Sequence, residues 1–599
     1  MKKLILIALV LTGLTAKAQY FQHVYGLNND EYGLTGVNTT GPMPIGQFMT
    51  GLTLSCLPVR SIPATYTDIN GNVPGGPFFN ENYVLTDPGT GVMLNTIGFP
   101  QPLELQTCAG RLGIVGGFSN HPSIPENGVF FMHLAPGGGV GAIFTFTPIA
   151  GSGFIITDVQ GIERSINFPG DWFVTGSCLD PGGNSKVFAI RFNECTGAMV
   201  WGQIYDILPP AVHAYGRDIA ENLIPVFGPP GAAIVGKINT VNGDDDAFLF
   251  HIDANNGFPA PHPVIITGFP NSNEEWRSIK TAQAGIWPPG FILGGYTNIN
   301  GNYDFLITRM DPLIGPLFLN IFDVSFAPGN DNYCYDVMER LNSACQYEYY
   351  AVGNARNSIF GNADVMVVKM DPWGNGVPGG EFIYGGGGDD FGNNLDQRNL
   401  VPCGPPPPNF DGLSIFGSTN NSFAVFGGAD MYMIRAYYNG ISGCNEAFFN
   451  PLQLGGLPPM PQMPVNPIIN LNPNMNITAF HFNMKDQPLC FAPVIGGGSN
   501  ARVAPKEDKT ADDAMLIMPN PTAAGSKEVT LQIDSDVTGD ATIEIYDLLG
   551  KLYYSNKHTL SKGINKLPVD ISSTNMAAGM YSVKVLGQQQ NKTVTLIVK

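Results

Sequence analysis

An all-β repeat array that returns on itself is the fold class the sequence predicts, on three observations. The first is periodicity. A glycine following three or more strand formers recurs at Gly51 (QFMTG), Gly116 (LGIVG), Gly176 (WFVTG), Gly236 (AAIVG), Gly294 (FILG), Gly353 (YAVG) and Gly417 (LSIFG), in steps of 65, 60, 60, 58, 59 and 64 residues. Seven units of near-constant length constrain an architecture before any single residue does. The second is composition: 599 residues with 74 Gly, 49 Pro and 44% hydrophobic residues, in many short apolar runs, describe strands joined by turns. The third is the run YFQHVYG at 20–26, which reads like the last strand of a unit, as in VWGQIYD (200–206) and GEFIYGG (380–386). An array that opens with its last strand closes into a ring and removes the edges an open array would expose. Four short strands in about 60 residues make this a seven-bladed β-propeller pattern with sizeable loops. Eight blades, or a solenoid of hairpins, are the alternatives.

Taken in order, the chain opens with MKKLILIALVLTGLTAKAQ. Lys2 and Lys3, the apolar Leu4–Leu14 and the small-x-small Ala16-Lys17-Ala18 predict a signal peptide over 1–18, exported to the periplasm and cut before Gln19. The apolar run is too short for a permanent bilayer span, and none longer follows. The repeats occupy 19–443. In the fourth unit, strands are predicted at Arg217–Leu223, Ala233–Lys237, Ala247–Ile252 and Val264–Thr267. In the fifth they fall at Trp276–Thr281, Phe291–Gly294, Phe305–Met310 and Leu317–Phe322. Asp246, Asp304, Asp364 and Asp430 precede the third strand of their units; Asp253, Asp311 and Asp371 follow it. Asp at such places closes tight turns through its own backbone. Calcium is the alternative, with Asn242–Asp246 (NGDDD) its best loop, although the spacing of a calcium loop is missing. Ser61–Asn80, Ala282–Gly290 and Val401–Phe410 read as strandless loops. Residues 444–500 fit no clean unit: they finish the last blade, pack across the ring or make an eighth irregular blade. Residues 501–514 are a charged linker.

From 515 to 599 the composition shifts to clean alternation (VTLQI, ATIEIYD, KLYYS, MYSVKVL, TVTLIVK), the pattern of a small Ig-like β-sandwich. Pro519-Asn520-Pro521, then Tyr546-Asp547 with Gly550-Lys551, then Gly579 with Tyr581, and a last strand ending at Lys599, run in a fixed order. This stretch resembles the type A C-terminal sorting domain of type IX secretion substrates of Bacteroidetes-type bacteria. Met580 departs from the family's usual adjacent Gly-Tyr. The resemblance implies the type IX machinery as a partner, and a body that is released or attached to the outer-membrane surface. The body itself resembles the propeller-repeat cargo found ahead of such domains, best in DFLITRMD (304–311) and DVMVVKMD (364–371). That resemblance implies fold and setting, not activity.

The charge narrows the partners. The net charge is −19, and the last 85 residues hold eight Lys against seven Asp or Glu, so the acidity lies in the body. Such a body repels phosphate backbones, and nucleic acid is not an expected partner. Nine cysteines, at 56, 108, 178, 195, 334, 345, 403, 444 and 490, suit an exported chain, and none forms a CxxC pair. Cys178 and Cys195 lie at opposite ends of their hairpin and should not meet; Cys334 with Cys345 is the better local pair. Gly231–Lys237 nearly spells a phosphate loop, but Ile238 follows where a hydroxyl is needed. Gly137–Gly141 precedes a strand rather than a helix. There is no GxSxG and no HExxH. His251 with His262, or His121 with His133, meet only if the fold brings them together. The five tryptophans read as blade core except Trp287, expected at the surface. No catalytic residue, cofactor or metal site is assigned. The expectation is a secreted or surface-displayed binding module for a protein or glycan. A glycan hydrolase or lyase with acids at the channel, and a structural adhesin or filament subunit, are the alternatives. Unrepeated acids, histidines or arginines gathered at one mouth of the ring would favour the enzyme.

Overall fold

The computed structural model describes most of residues 20–442, the strands between 446 and 492, and most of 515–598; residues 1–19, 398–411, 421–428 and 493–514, with shorter connections, lie outside the description. The signal segment, the loop Val401–Phe410 and the linker therefore fall outside it. The chain divides into two compact units, Met1–Gly497 and Gly498–Lys599.

The first unit is built from antiparallel sheets, all from strands. Sheet 1 contains Glu31–Thr39, Gly46–Thr53, Ile62–Asp68 and Phe79–Thr86. Sheet 2 runs from Asn95–Leu105 to Val140–Pro148, sheet 3 from Ile155–Arg164 to Met199–Asp206, and sheet 4 from Ala214–Glu221 to Val264–Thr267. Sheet 5 runs from Glu274–Ala282 to Gly315–Asp323 and sheet 6 from Asn332–Leu341 to Gly376–Tyr384. Sheet 7 contains Asp390–Gln397, Leu413–Thr419 and Asp430–Ala436, and takes Tyr20–Gly26 as its fourth strand, with Phe21 opposite Arg435 and Tyr25 opposite Met431. The strands expected in the fourth and fifth units are present, a few residues longer at most ends. Ser61–Asn80, expected to lack strands, contains Ile62–Asp68. Its Pro63 is the second residue of that strand, opposite Asn82.

Apolar runs are continuous here because each sheet is covered on both faces. In Asp304–Asp311, Phe305 and Ile307 enter a core shared with sheet 6, and Leu306 and Met310 enter one shared with sheet 4. Among the described residues, seven such cores lie between consecutive sheets. The smallest, Tyr25, Met49, Phe416, Met431 and Met433, joins sheet 7 to sheet 1. Each buried large side chain contributes about 1.5–3 kcal/mol. The first strand of each sheet packs against the first strand of the next, and that of sheet 7 against that of sheet 1.

Among the described residues, 446–492 make no sheet of their own. Their strands pair with the outermost strands of the existing sheets, in reverse order. Glu446–Phe449 joins sheet 6, Leu452–Gly456 sheet 5, and Gln462–Met463 sheet 4. Asn466–Pro473 bridges sheets 3 and 2, Thr478–Asn483 joins sheet 1, and Lys485–Ala492 joins sheet 7 beside Tyr20–Gly26. The segment is a belt of fifth strands.

The second unit has two antiparallel sheets, Met515–Met518, Glu528–Ser535 and Gly563–Asp570 in one, and Leu552–Leu560, Gly539–Asp547, Gly579–Gly587 and Asn591–Val598 in the other. Val529, Leu531 and Ile533 of the first share a core with Ile543, Ile545, Val583 and Val585 of the second.

Candidate functional site

Every innermost strand is interrupted at the same level, and Ile155–Arg164 carries a second interruption between Ile156 and Asp158. The register skips one residue between Gly33 and Thr35, Val159 and Gly161, Gly216 and Asp218, Trp276 and Ser278, Cys334 and Asp336, and Gly392 and Asn394, and a wider gap separates Ile97 from Gln101. These are β-bulges, which add an unpaired residue and turn a side chain out of the ladder. The repeated glycine is their counterpart. A β-carbon at Gly51, Gly176, Gly236, Gly353 or Gly417 would lie 1.7–2.1 Å from a carbonyl oxygen of the facing bulged strand. In sheet 5 the equivalent glycine is Gly295, 1.9 Å from the Glu275 oxygen, and in sheet 2 it is Gly117, beside Ile97. Gly294 and Gly116, one residue earlier, instead face Val337 and Phe130.

The bulged residues open into a cavity of about 360 Å³ lined by the inner strands of all seven sheets. Sheet by sheet they are Leu34, Phe99, Gln160, Arg217, Arg277, Tyr335 and Asn393. The backbone position repeats; the side chains, the arginines of sheets 4 and 5 apart, do not. A second cavity of about 390 Å³ shares Gln101, Ile162, Lys280 and Asn394 with the first and adds Glu104, Glu163, Arg164 and Asp396.

At one end Glu275 collects the cations. Arg217 Nε donates to it at 2.6 Å, Arg277 Nη1 at 3.0 Å and the Tyr296 hydroxyl at 2.7 Å, with Lys237 Nζ 3.7 Å away. Burial raises the Glu275 pKa, but Arg277, Arg217 and Lys237 outweigh it and hold the group at about 2. Arg217 also pairs with Asp158 at 3.2 Å, and Lys237 with Asp245 at 2.7 Å. Tyr296, Tyr303 and Tyr333 cluster with centroids 5.0–5.3 Å apart, Tyr296 standing edge-on to the other two.

Deeper in, carboxylates tie adjacent strands. Asp218 accepts the N–H groups of Ile219 (2.9 Å) and, across the sheet junction, Ile279 (3.0 Å). Asp336 does the same with Val337 and Leu395, both at 2.9 Å, and Asp396 with Gln397 (2.8 Å) and Asn38 (2.6 Å). Lys280 lies 3.1 Å from Asp218 and 3.7 Å from Asp336. Burial opposes its charge, but Asp218 and Asp336 reverse the balance and raise its pKa. At the far end burial pushes Glu163 up to about 7 and Asp396 up to about 6.

Other expected residues lie elsewhere. Asp371 accepts the N–H groups of Trp373 and Asn375, each at 2.8 Å, and Asp253 that of Asn255 at 2.8 Å; Asp68 and Asp180 close turns the same way. Asp304 accepts the amides of Asn300 and Asn302. His121 lies by Asp87, while His133 bonds the Glu194 carbonyl, so the two keep separate partners; His262 is outside the description. Cys195 is joined to Cys108, not Cys178. Cys334 is a buried free thiol, so it does not pair with the disulfide-bonded Cys345: it faces the sheet 5 core, and Cys345 follows in a turn after the strand ends. Trp172, Trp201 and Trp276 are buried; the exposed tryptophan is Trp373, at 56%, with Trp287 packed edge-on against it and bonded to the Pro372 carbonyl.

In the second unit, the Tyr546 hydroxyl bonds Glu544, Lys551 lies over Tyr553, and Tyr581 is buried in the core against Tyr553. Asp547 and Gly579 lie on neighbouring strands, Asp547 opposite Tyr581. Pro519, Asn520, Pro521, Gly550 and Lys599 lie outside the described residues. Among the described residues no helix is long and apolar enough to cross a membrane.

Three comparisons bear on this geometry. No curated protein matches the chain. Among solved structures, dimeric latent PorU from Porphyromonas gingivalis aligns at 9% identity and TM-score 0.12, over 96% of this chain but only 34% of PorU. A tetra-tandem repeat from the extending region of a large adhesion protein aligns at 10% identity and TM-score 0.11, over 94% and 97% of the two chains. TM-scores this low define no common fold. Residues 516–599 match the family described as a secretion system C-terminal sorting domain. That match covers the stretch in which the Pro-Asn-Pro, Tyr-Asp and Gly-Lys motifs follow one another, and the chain is a type IX secretion substrate with a C-terminal sorting domain.

Proposed function

We propose that the seven sheets are the blades of a closed seven-bladed propeller, with an Ig-like sorting tail, and that the exported body is a binding module whose ligand enters the central channel. The observation that carries this reading is the bulge column. Repeated geometry accounts for the bulges and the glycines, but not for six kinds of side chain, with only arginine occurring twice, turned into one cavity from seven bulges. Positions under purely structural demand in a repeat converge on one residue, as the glycines do. A cavity of this size lies within the range of about 300–1,000 Å³ typical of small-ligand sites.

The test is a pull-down and glycan-array screen with the full chain beside Asn393→Trp, whose ring fills the cavity. Binding should be lost in that variant while its melting temperature stays within a few degrees of the parent. Binding that survives the plug assigns the ligand to the outer loops instead.

The enzymatic reading has two observations in its favour, the first being the unrepeated acids and arginines gathered around Glu275 at one end of the cavity. The second is Glu163, which is pushed up to about 7 and keeps a proton near neutral pH, as a general acid must. Four of the other channel acids are engaged: Asp218, Asp336 and Asp396 by backbone N–H groups, and Glu275 by two arginines. Turnover of a bound glycan that disappears in Glu163→Gln without loss of binding would establish it.

A further inference from the structure

We infer that the arginine–tyrosine end of the cavity recognises an uncharged pyranose ring, the unit of a neutral saccharide. This rests on the channel reading above and adds the chemistry of the ligand.

The charges decide against an anion. Arg217, Arg277 and Lys237 face Glu275, Asp158 and Asp245, and Lys280 faces Asp218 and Asp336. The cluster has no surplus of positive charge, so a phosphate, sulfate or uronate would be desolvated without a matching cation. What remains is directional. Arg277 uses a single N–H group, towards Glu275, of the five its guanidinium offers. Gln160 donates its amide to Asp158 at 2.6 Å, and Asn393 donates to the Gly33 carbonyl at 2.9 Å. Each leaves an amide carbonyl oxygen as an acceptor. Donors and acceptors therefore alternate around the wall, and a hydroxyl, which both donates and accepts, satisfies such a wall where a carboxylate does not.

The apolar part of the wall fits the same ligand. Tyr333 and Tyr335, two residues apart on one strand, both line the cavity with ring planes 17° apart and centroids 6.4 Å apart. The Arg277 guanidinium lies 5.5 Å from the Tyr335 centroid, which fixes that ring. Aromatic faces pack against the C–H faces of a pyranose while hydroxyls at its rim meet the polar groups. A cavity of about 360 Å³ holds a ring or two rather than a length of peptide.

The experiment is an array of neutral and acidic glycans probed with the labelled full chain, followed by calorimetry on the strongest neutral hit. Neutral glycans should bind, with an affinity unchanged between 50 mM and 500 mM salt, about what an uncharged contact gives. Arg277→Gln and Tyr333→Leu should each weaken binding about tenfold or more (roughly 1.4 kcal/mol), and Arg277→Lys should recover part of the loss. Preference for acidic glycans, suppression by salt, or an array silent for neutral glycans overturns the inference. If a protein partner is captured and lost in Asn393→Trp while the array stays silent, the channel reading stands and the saccharide fails. If glycan binding is indifferent to both substitutions and to the plug, the channel reading fails as well.

Discussion

A methyl group at Gly353 would sit 1.8 Å from the Tyr333 carbonyl oxygen, which is backbone and cannot swing aside. Gly353→Ala should therefore cost about 3 kcal/mol, seen as a lowered urea midpoint. Gly139→Ala, whose new carbon would meet only Ala135 at 3.8 Å, should stay within about 0.5 kcal/mol of the parent. The same clash explains why the repeat was legible: a carbonyl turned by the bulge excludes every side chain. It also explains the two displaced anchors. Sheets 2 and 5 carry paired glycines, Gly116-Gly117 and Gly294-Gly295, and sequence does not say which of two neighbours meets the carbonyl. The cavity residues were illegible for the opposite reason, since a bulge that admits Leu, Phe, Gln, Arg, Tyr and Asn leaves no letter common to the units. A second residue-scale prediction concerns pH. Burial, with Asp323 adding to it, pushes the pKa of Glu381 up to about 8, and the side chain is 5% exposed. The unfolded value is about 4.3. The folded form thus binds the proton more tightly, and this contribution to stability, complete below the unfolded value, is lost as pH rises through about 8. Glu381→Gln should melt with the parent at pH 4 and be more stable at pH 9, by about 5 kcal/mol.

At the scale of elements, the belt is the feature the sequence concealed. Its strands neither alternate cleanly nor lack proline, as in NPIINLNP (Asn466–Pro473). They are strands because an outer edge with unpaired N–H and C=O groups stands beside them, not because of their own pattern. Tyr20–Gly26 is the contrary case. Its resemblance to the outer strands of other units was readable, and it pairs with Asp430–Ala436. A chain ending at Ser442 keeps the seven sheets but bares an outer edge on each, and should elute as concentration-dependent oligomers where the full chain is monodisperse by light scattering. A monomeric truncated chain would mean that those edges need no cover.

For the whole molecule, the two units differ in how they could be read. The tail carries motifs of fixed order, and the match over 516–599 answers to them. The body carries a fold in its repeats and keeps its chemistry in positions that do not repeat. The acidic body and the near-neutral tail also part company in charge. If the tail serves only export, a mass spectrum of the protein recovered from culture medium should begin at Gln19 and lack the residues after about 514, the end of the linker. A full-length mass would mean the tail stays attached.

The winding direction of the belt has a mechanical consequence. Ala492, its last residue, lies opposite Tyr20, and Lys485 opposite Gly26. Tension applied from the C-terminal side thus opens that ladder one rung at a time from Ala492, rather than shearing all rungs together. Once Lys485 is free the load passes to Thr478–Asn483, then to Asn466–Pro473, and so backward around the perimeter. A tug during transit would unwrap a bandage at low force and leave what it binds standing.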